Sequence, residues 1–457
     1  MKDFRFTTKL SATACARRAS WLTAIILTIG CAAQAAGSTS VTFVPIAKTG
    51  DDPPGITGPF TDFDSFYNGQ GSGWPPSVDT DGQVVFVGVD TVAPPPLSPS
   101  SGVFLGAGPG TVSTVMDRSG DPPGYVGTFA NFESAVDGPG GVAFYGRDAS
   151  FFSGIFAKYA SGPTSLSFKT VASTGVRVPA TQTTFNGVHD PNIFLTYIAF
   201  DGDFPDGIAN QNGIFIGDTF KPAGSTLPSL FAVAMTGDDP PGVVGPFVYG
   251  LSSPVVIGYY GAAAFTGHDA NFNQGIFLGA YDVTAPPPNR VITTVISSGD
   301  ALPGSAGQFI GTLSSLGSDG ENIAFSAQGT NGPGAYVYST TSASFRKIAQ
   351  LGDKAPGRVG AFTSFGNVAV SGTLAAFSAT DAAGNNGLFL SVSGQTVDIV
   401  DNFTMLNGKR VSAVSFGRQG LALHANSTPP VNPTAHLAFA VLFTDGTQGI
   451  YRADVLF

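Results

Sequence analysis

Gly50-Asp51-Asp52-Pro53-Pro54-Gly55 returns unchanged as Gly237-Asp238-Asp239-Pro240-Pro241-Gly242. Altered copies open at Gly120, Gly299 and Gly352, and a degenerate one reads Gly175-Val176-Arg177-Val178-Pro179-Ala180. Each copy is followed by a Phe, then by an apolar triplet ending in Phe, then by a Gly-Ile-Phe type triplet. The first triplet reads Val84-Val85-Phe86, Val142-Ala143-Phe144, Ile198-Ala199-Phe200, Ala263-Ala264-Phe265, Ile323-Ala324-Phe325, Ala375-Ala376-Phe377 and Leu437-Ala438-Phe439. The spacings between these Phe residues are 58, 56, 65, 60, 52 and 62. The second triplet follows each, from Gly102-Val103-Phe104 to Gly449-Ile450-Tyr451. A period of this kind marks a repeat architecture.

One unit reads as a Phe-containing strand, two triplet strands and a polar-flanked strand, with turn residues between them. Seven units of four strands predict an all-β chain folded as a seven-bladed β-propeller. The stretch Val41–Lys48 has the character of a fourth strand, and Gly449–Phe457 that of a third. The N-terminal strand is therefore expected to complete the last blade and remove an open sheet edge. The expected blades run over about 50–119, 120–174, 175–236, 237–298, 299–351, 352–401, and 402–457 with 41–49. An open solenoid or a pair of β-domains is the alternative, but a solenoid needs atypical capping ends, which this pattern lacks.

Composition agrees with the period. Charged residues make 11% of the chain, while 61 Gly, 33 Pro and 38 Phe supply turns and bulky core groups. No apolar stretch with a 3.6-residue period predicts a long amphipathic helix. Residues 1–35 read as a signal peptide. Lys2, Arg5, Lys9, Arg17 and Arg18 precede the apolar run Trp21–Ile29, and Ala33-Gln34-Ala35 offers a small-residue cleavage site. Arg17-Arg18 weakly matches a twin-arginine signal, and lipidation at Cys31 is a minor alternative. Residues 36–457 are then a single exported domain, periplasmic or extracellular, with no transmembrane span. Both cysteines, Cys15 and Cys31, fall in the leader, so a mature chain would hold no disulfide. It would keep 16 basic against 30 acidic residues. That excess disfavours nucleic acid and anionic lipid as partners.

These units resemble a group of bacterial exported repeat proteins of uncharacterised function, often found with C-terminal sorting signals. Their units carry Gly-Asp-x-x-Pro-Gly, a Gly-x-Val-Ala-Phe strand and Gly-Ile-Phe. The resemblance covers about residues 41–457 and implies a β-propeller without implying an activity. The end of this chain, Asp454-Val455-Leu456-Phe457, lacks a Pro-Glu-Pro segment or basic tail, so a membrane-sorted anchor is not expected.

Chemistry is thin. The Gly-Asp motif reads first as turn framework, since Pro before Gly suits a type II turn and Asp caps free N–H groups. Asp148 and Asp269 occupy like positions between the two triplets of units two and four, and Asp51, Asp121, Asp238 and Asp300 begin crossovers. The four-strand unit places both sets on one face. If they converge they are candidate ligands for Ca²⁺, which takes six to eight oxygens, although no stretch matches a Ca²⁺ loop. No other cofactor is expected. The histidines, His189, His268, His424 and His436, show no zinc spacing. Glu133 and Glu321 are the only Glu residues. The sequence thus favours a non-catalytic binding or surface-interaction propeller whose partner is an unknown protein or polysaccharide. A hydrolase or lyase acting on polysaccharide or peptide at one channel mouth is the alternative.

Overall fold

The computed structural model describes residues 39–56, 58–63, 65–66, 73–90, 101–122, 127–139, 141–162, 165–206, 209–219, 229–258, 261–282, 290–304, 307–314, 316–424 and 434–457. The leader and the proline-containing stretches Pro94–Pro99 and Ser427–Pro433, which interrupt units one and seven of the repeat, lie outside them. Val41–Leu456 form one compact unit. It is all-β, and no helix occurs among the described residues.

Seven antiparallel sheets follow one another along the chain, four strands to a blade, as a β-propeller. Blade two is the plainest, with strands Phe129–Gly138, Gly141–Asp148, Ser153–Gly162 and Ser165–Ser173 in sequence order. In blades one and five the first strand is broken into two short pieces, each paired with the second strand. The last sheet takes Ser40–Lys48 beside Gln448–Leu456, so the N-terminal strand completes blade seven as expected.

The triplets are legible as packing. All seven first-triplet Phe residues are buried, at 1% exposure or less. Each stacks on the ring that ends the second triplet: Phe86 on Phe104, Phe144 on Phe156, Phe200 on Phe215, Phe265 on Phe277, Phe325 on Tyr336 and Phe377 on Phe389 at 5.6–5.8 Å, and Phe439 on Tyr451 at 6.1 Å. A third ring, the Phe after the Gly-Asp motif, meets the second edge-on. Phe129 and Phe156 are 5.0 Å apart at 87°, and Phe247 and Phe277 are 4.8 Å apart at 83°. Such edge-to-face contacts add to the area each ring buries.

The glycines around the triplets exist to admit these rings. A Cβ on Gly146 would sit 2.6 Å from the Phe129 ring, and one on Gly202 2.6 Å from Phe185. One on Gly154, which opens a second triplet, would sit 2.6 Å from Phe156 two residues on. The rings lie flat on bare backbone.

The Gly-Asp motif closes the crossover from one blade's outer strand to the next blade's first strand. Gly237 N donates to Phe247 O at 2.9 Å, and Phe247 N to Asp238 O at 2.9 Å. The same pair of bonds recurs at Gly50 and Phe60, Gly299 and Phe309, and Gly352 and Phe362. The degenerate unit keeps it, with Gly175 and Phe185. The first Gly of these copies has φ between +83° and +99°, a region open to Gly at little cost.

Two substitutions check this packing by chemical denaturation. Phe265→Ala is expected to cost about 3–5 kcal/mol, the usual loss for a buried aromatic. Gly146→Ala is expected to cost about 1–3 kcal/mol through overpacking against Phe129. A neutral Gly146→Ala would mean that the ring does not rest on the strand.

Candidate functional site

Loops between second and third strands and the crossovers share one face of the propeller. Their hydrogen bonds to each other fix this: Ala270 N donates to Val244 O at 3.1 Å, Leu351 N to Pro333 O at 2.8 Å, and Thr444 N to Arg410 O at 3.0 Å. The sequence-predicted aspartates do lie on this loop face, but five of the six are occupied in their own turns. Asp148 Oδ1 accepts from Ser150 N and Phe152 N at 2.8 and 3.0 Å. Asp269 does the same with Asn271 N and Asn273 N, and its Oδ2 takes Asn273 Nδ2. Those hydrogen bonds outweigh its burial and hold its carboxyl below the ordinary range. In the crossovers, Asp51, Asp238 and Asp300 accept the N–H three residues before them, at 3.0, 2.8 and 2.7 Å. Asp238 also pairs with Arg290 at 2.6 Å. Asp121 is exposed. The expected convergence on Ca²⁺ is not formed: among the described residues no three His, Cys, Asp or Glu side chains gather as metal ligands. The physical reason lies in the other five, whose carboxylates satisfy backbone N–H groups of a turn repeated blade by blade.

What the loop face does hold is apolar. Thirteen large apolar side chains are exposed among the described residues, and ten of them lie here: Phe151, Phe152, Val176, Val244, Val248, Phe272, Leu351, Val359, Phe403 and Met405. Phe151 and Phe272 are 74% and 63% exposed. Both follow the loop aspartate by three residues and carry positive φ, 67° and 63°. Blade six has Gly384 at that position, φ 81°. A Phe held there costs on the order of 1 kcal/mol over Gly and returns little of it by burial.

At the centre, the first strands of the blades line the channel. Two cavities lie along it. One, about 320 Å³, is walled by Trp74, Ser134, Asp190, Asn367, Arg418 and Gln419. The other, about 110 Å³, has walls further along the same strands, including Asp79, Asp137, Asp319 and Ser371. Since first strands run away from the crossovers, the larger cavity is at the loop-face end. Gln419 belongs to both walls. It arrives there by a wide bulge: Phe416 pairs with Phe439 and Leu421 with Leu437, leaving four residues opposite one. The bulge carries Arg418 across the channel to Asp190 of blade three, at 2.5 and 3.1 Å. Asp190 sits in a smaller bulge of its own, with φ 55°.

Beside Asp190 lies a polar group that motif reading missed. His189 Nε2 is 3.5 Å from Asp203, and its ring stacks on Tyr145 at 5.9 Å. The hydrogen bond with Asp203 raises the His189 pKa. Asp201 is pushed up to about 7, first by burial and then by repulsion from Asp190. Its Oδ1 is buried without a partner. Among the described residues no serine or threonine hydroxyl is hydrogen-bonded to His189. In the wall of the smaller cavity, burial and then Asp79 hold the Asp137 carboxyl well above its ordinary range.

A family model described as a family of unknown function matches residues 31–456. The chain belongs to DUF7453. No curated protein matches this DUF7453 chain. Among solved structures it is similar to an acylaminoacyl peptidase at 9% identity and TM-score 0.43, over 82% of this chain and 52% of the other. It thus spans about half of that peptidase. It is also similar to oligogalacturonate lyase from Vibrio parahaemolyticus, at 10% identity and TM-score 0.42, over 91% and 98%. TolB from Acinetobacter baumannii follows at 14% and 0.35, over 92% and 97%. Scores of this size carry no argument about activity.

The raised carboxyls give a pH dependence with a definite sign. Asp201, at about 7, and Asp398, pushed up to about 6 chiefly by burial, both lie above the ordinary 3.8. The folded state therefore holds more protons than the unfolded state between about pH 4 and 7, and stability falls as pH rises through that window. The melting temperature is expected to drop from pH 5 to pH 8. Asp201→Asn with Asp398→Asn is expected to flatten the profile. An unchanged slope in the double variant would place the effect elsewhere.

Proposed function

We propose that this chain is an exported, non-catalytic interaction propeller that docks a polypeptide through its loop face. The observation that carries this reading is the gathering of ten exposed apolar side chains on that one face, with Phe151 and Phe272 held in a backbone conformation that favours Gly. Stability alone does not select exposed rings at strained positions, whereas a binding surface does. The net charge of −10 favours a partner whose apolar contact residues are flanked by Lys or Arg. The reading of residues 1–35 as a leader puts the encounter outside the cytoplasm. Among the described residues, no helix is long and apolar enough to cross a membrane.

A hydrolase or lyase draws its support from the His189, Asp201 and Asp203 group beside the channel. That group offers proton transfer but brings no hydrogen-bonded hydroxyl nucleophile with it, and it stands second.

The test compares the parent with Phe151→Ser/Phe272→Gly. The double variant is expected to keep or raise the melting temperature, because Phe272→Gly relieves one strained position and Phe151→Ser removes a ring that is already exposed. It is expected to lose a discrete partner that the parent retains by cross-linking in the exported fraction, and salt is expected to weaken that retention. Equal retention by both proteins would sink the loop-face reading. Mass spectrometry of the exported protein is expected to show an N-terminus at Ala36.

A further inference from the structure

We propose that the cavity at the loop-face end of the channel binds a neutral polyhydroxy ligand about the size of one sugar residue. This site is separate from the apolar loops and does not depend on them. Its volume, about 320 Å³, lies at the small end of ligand pockets. Its wall is drawn from the first strands of blades two, three, six and seven and from Ser77 of blade one, with Trp74, Pro75 and Pro76 from the segment just before it.

The charges in the wall exclude an ionic ligand. Arg418 and Asp190 meet in a two-pronged pair, and the guanidinium is also within 3.4–3.5 Å of Asp190 O and Pro191 O. A cation or an anion entering the cavity would compete with that two-pronged, partly buried pair for one of its members. The uncharged groups are the ones left open. Ser134 is 5% exposed, and its Oγ has no partner. Gln419 gives its amide nitrogen to Ile193 O at 3.3 Å, while its Oε1 is buried and unpaired. Asn367 gives its nitrogen to Phe416 O at 2.9 Å, which leaves its carbonyl oxygen to accept.

A buried hydroxyl and two amide oxygens without partners call for a ligand whose groups both donate and accept, and hydroxyls do both. Most of the remaining lining is apolar, and the Ser77 hydroxyl already accepts from Asp137 N. Trp74 stands half-exposed at the edge, followed by Pro75 and Pro76. Ser65 Oγ holds the Trp74 carbonyl at 3.1 Å. An indole beside a polar recess matches a sugar ring, with its C–H face on the indole and its hydroxyl edge toward Ser134, Asn367 and Gln419.

Trp74 also supplies the reporter. The chain has two tryptophans, so the full chain carrying Trp21→Phe emits from Trp74 alone. That protein is titrated with neutral monosaccharides and their short oligomers, and with glucuronate and glucosamine as charged counterparts. A saturable change in emission is expected with a neutral sugar, with the charged counterparts about tenfold weaker or more. Ser134→Ala is expected to weaken binding about tenfold, the loss of one hydrogen bond. Trp74→Ala, whose side chain stands at the exposed edge, is followed by isothermal titration calorimetry instead and is expected to show no heat of sugar binding in a chain of unchanged melting temperature. Phe151→Ser/Phe272→Gly is expected to leave sugar binding intact, so this site stands or falls apart from the loop face. Tighter binding of the monomer would support the site with a free sugar as its source, and tighter binding of the oligomer would support it with a chain end. No response to any neutral sugar at concentrations on the order of 100 mM, equal binding of the charged counterparts, or undiminished binding by Trp74→Ala would each overturn the proposal.

Discussion

The fold rests on aromatic rings laid against bare backbone. In each of the regular blades a ring from the second strand stacks on one from the third, and the ring that follows the crossover closes on them edge-first. The glycines beneath are part of the same contact, because a Cβ at Gly146, Gly202 or Gly154 would occupy ring volume. Burial of a Phe contributes about 1.5–3 kcal/mol, so three to a blade give each sheet its own small core. No disulfide is needed to reinforce it. The Gly-Asp crossover exists to deliver the third ring: its paired backbone bonds end on that Phe in the copies at Gly50, Gly175, Gly237, Gly299 and Gly352.

That economy has a consequence for function. The aspartates most visible in the sequence are spent on the framework, since their oxygens accept N–H groups of the turns that hold the rings in place. What distinguishes one blade from another is left to positions the framework does not need. These are the residue third after the loop aspartate, Phe151 in blade two and Gly384 in blade six, and the bulge of each first strand. Blade three places Asp190 in that bulge and blade seven places Arg418.

The architecture was legible because period, ring and glycine spacing all report on the same contact. The count of blades, the closing strand and the burial of the triplet Phe residues follow from it. The site was much less legible. Asp148 and Asp269 drew notice because they recur, and recurrence is the mark of framework. His189, Asp201 and Asp203 lie within fifteen positions of one another, but only the pairing of His189 with Asp201 across adjacent strands brings them to one place. Arg418 and Asp190 are separated by 228 residues, and their meeting depends on two bulges. The signal that existed was local: Gly417-Arg418-Gln419-Gly420 stands between Val414-Ser415-Phe416 and Leu421-Ala422-Leu423 in the first strand. A charge between two glycines in such a strand has no place in a regular sheet.

Arg418 also joins two features that would otherwise be independent. Blade seven is the blade completed by the N-terminal strand, so its position depends on a pairing between the two ends of the compact unit. The Arg418–Asp190 pair ties that blade's first strand to blade three across the channel, and Gln419 adds a second link to Ile193. Cross-links between residues so distant in sequence oppose opening of the ring more than local contacts do, because they close a long loop. They also set the cavity wall. Ser134 and Asn367 come from blades two and six, on strands that flank blades three and seven. Fixing blades three and seven against each other therefore fixes the distances among the open polar groups before any ligand arrives. A pocket preorganised in this way spends little binding free energy on ordering its own side chains.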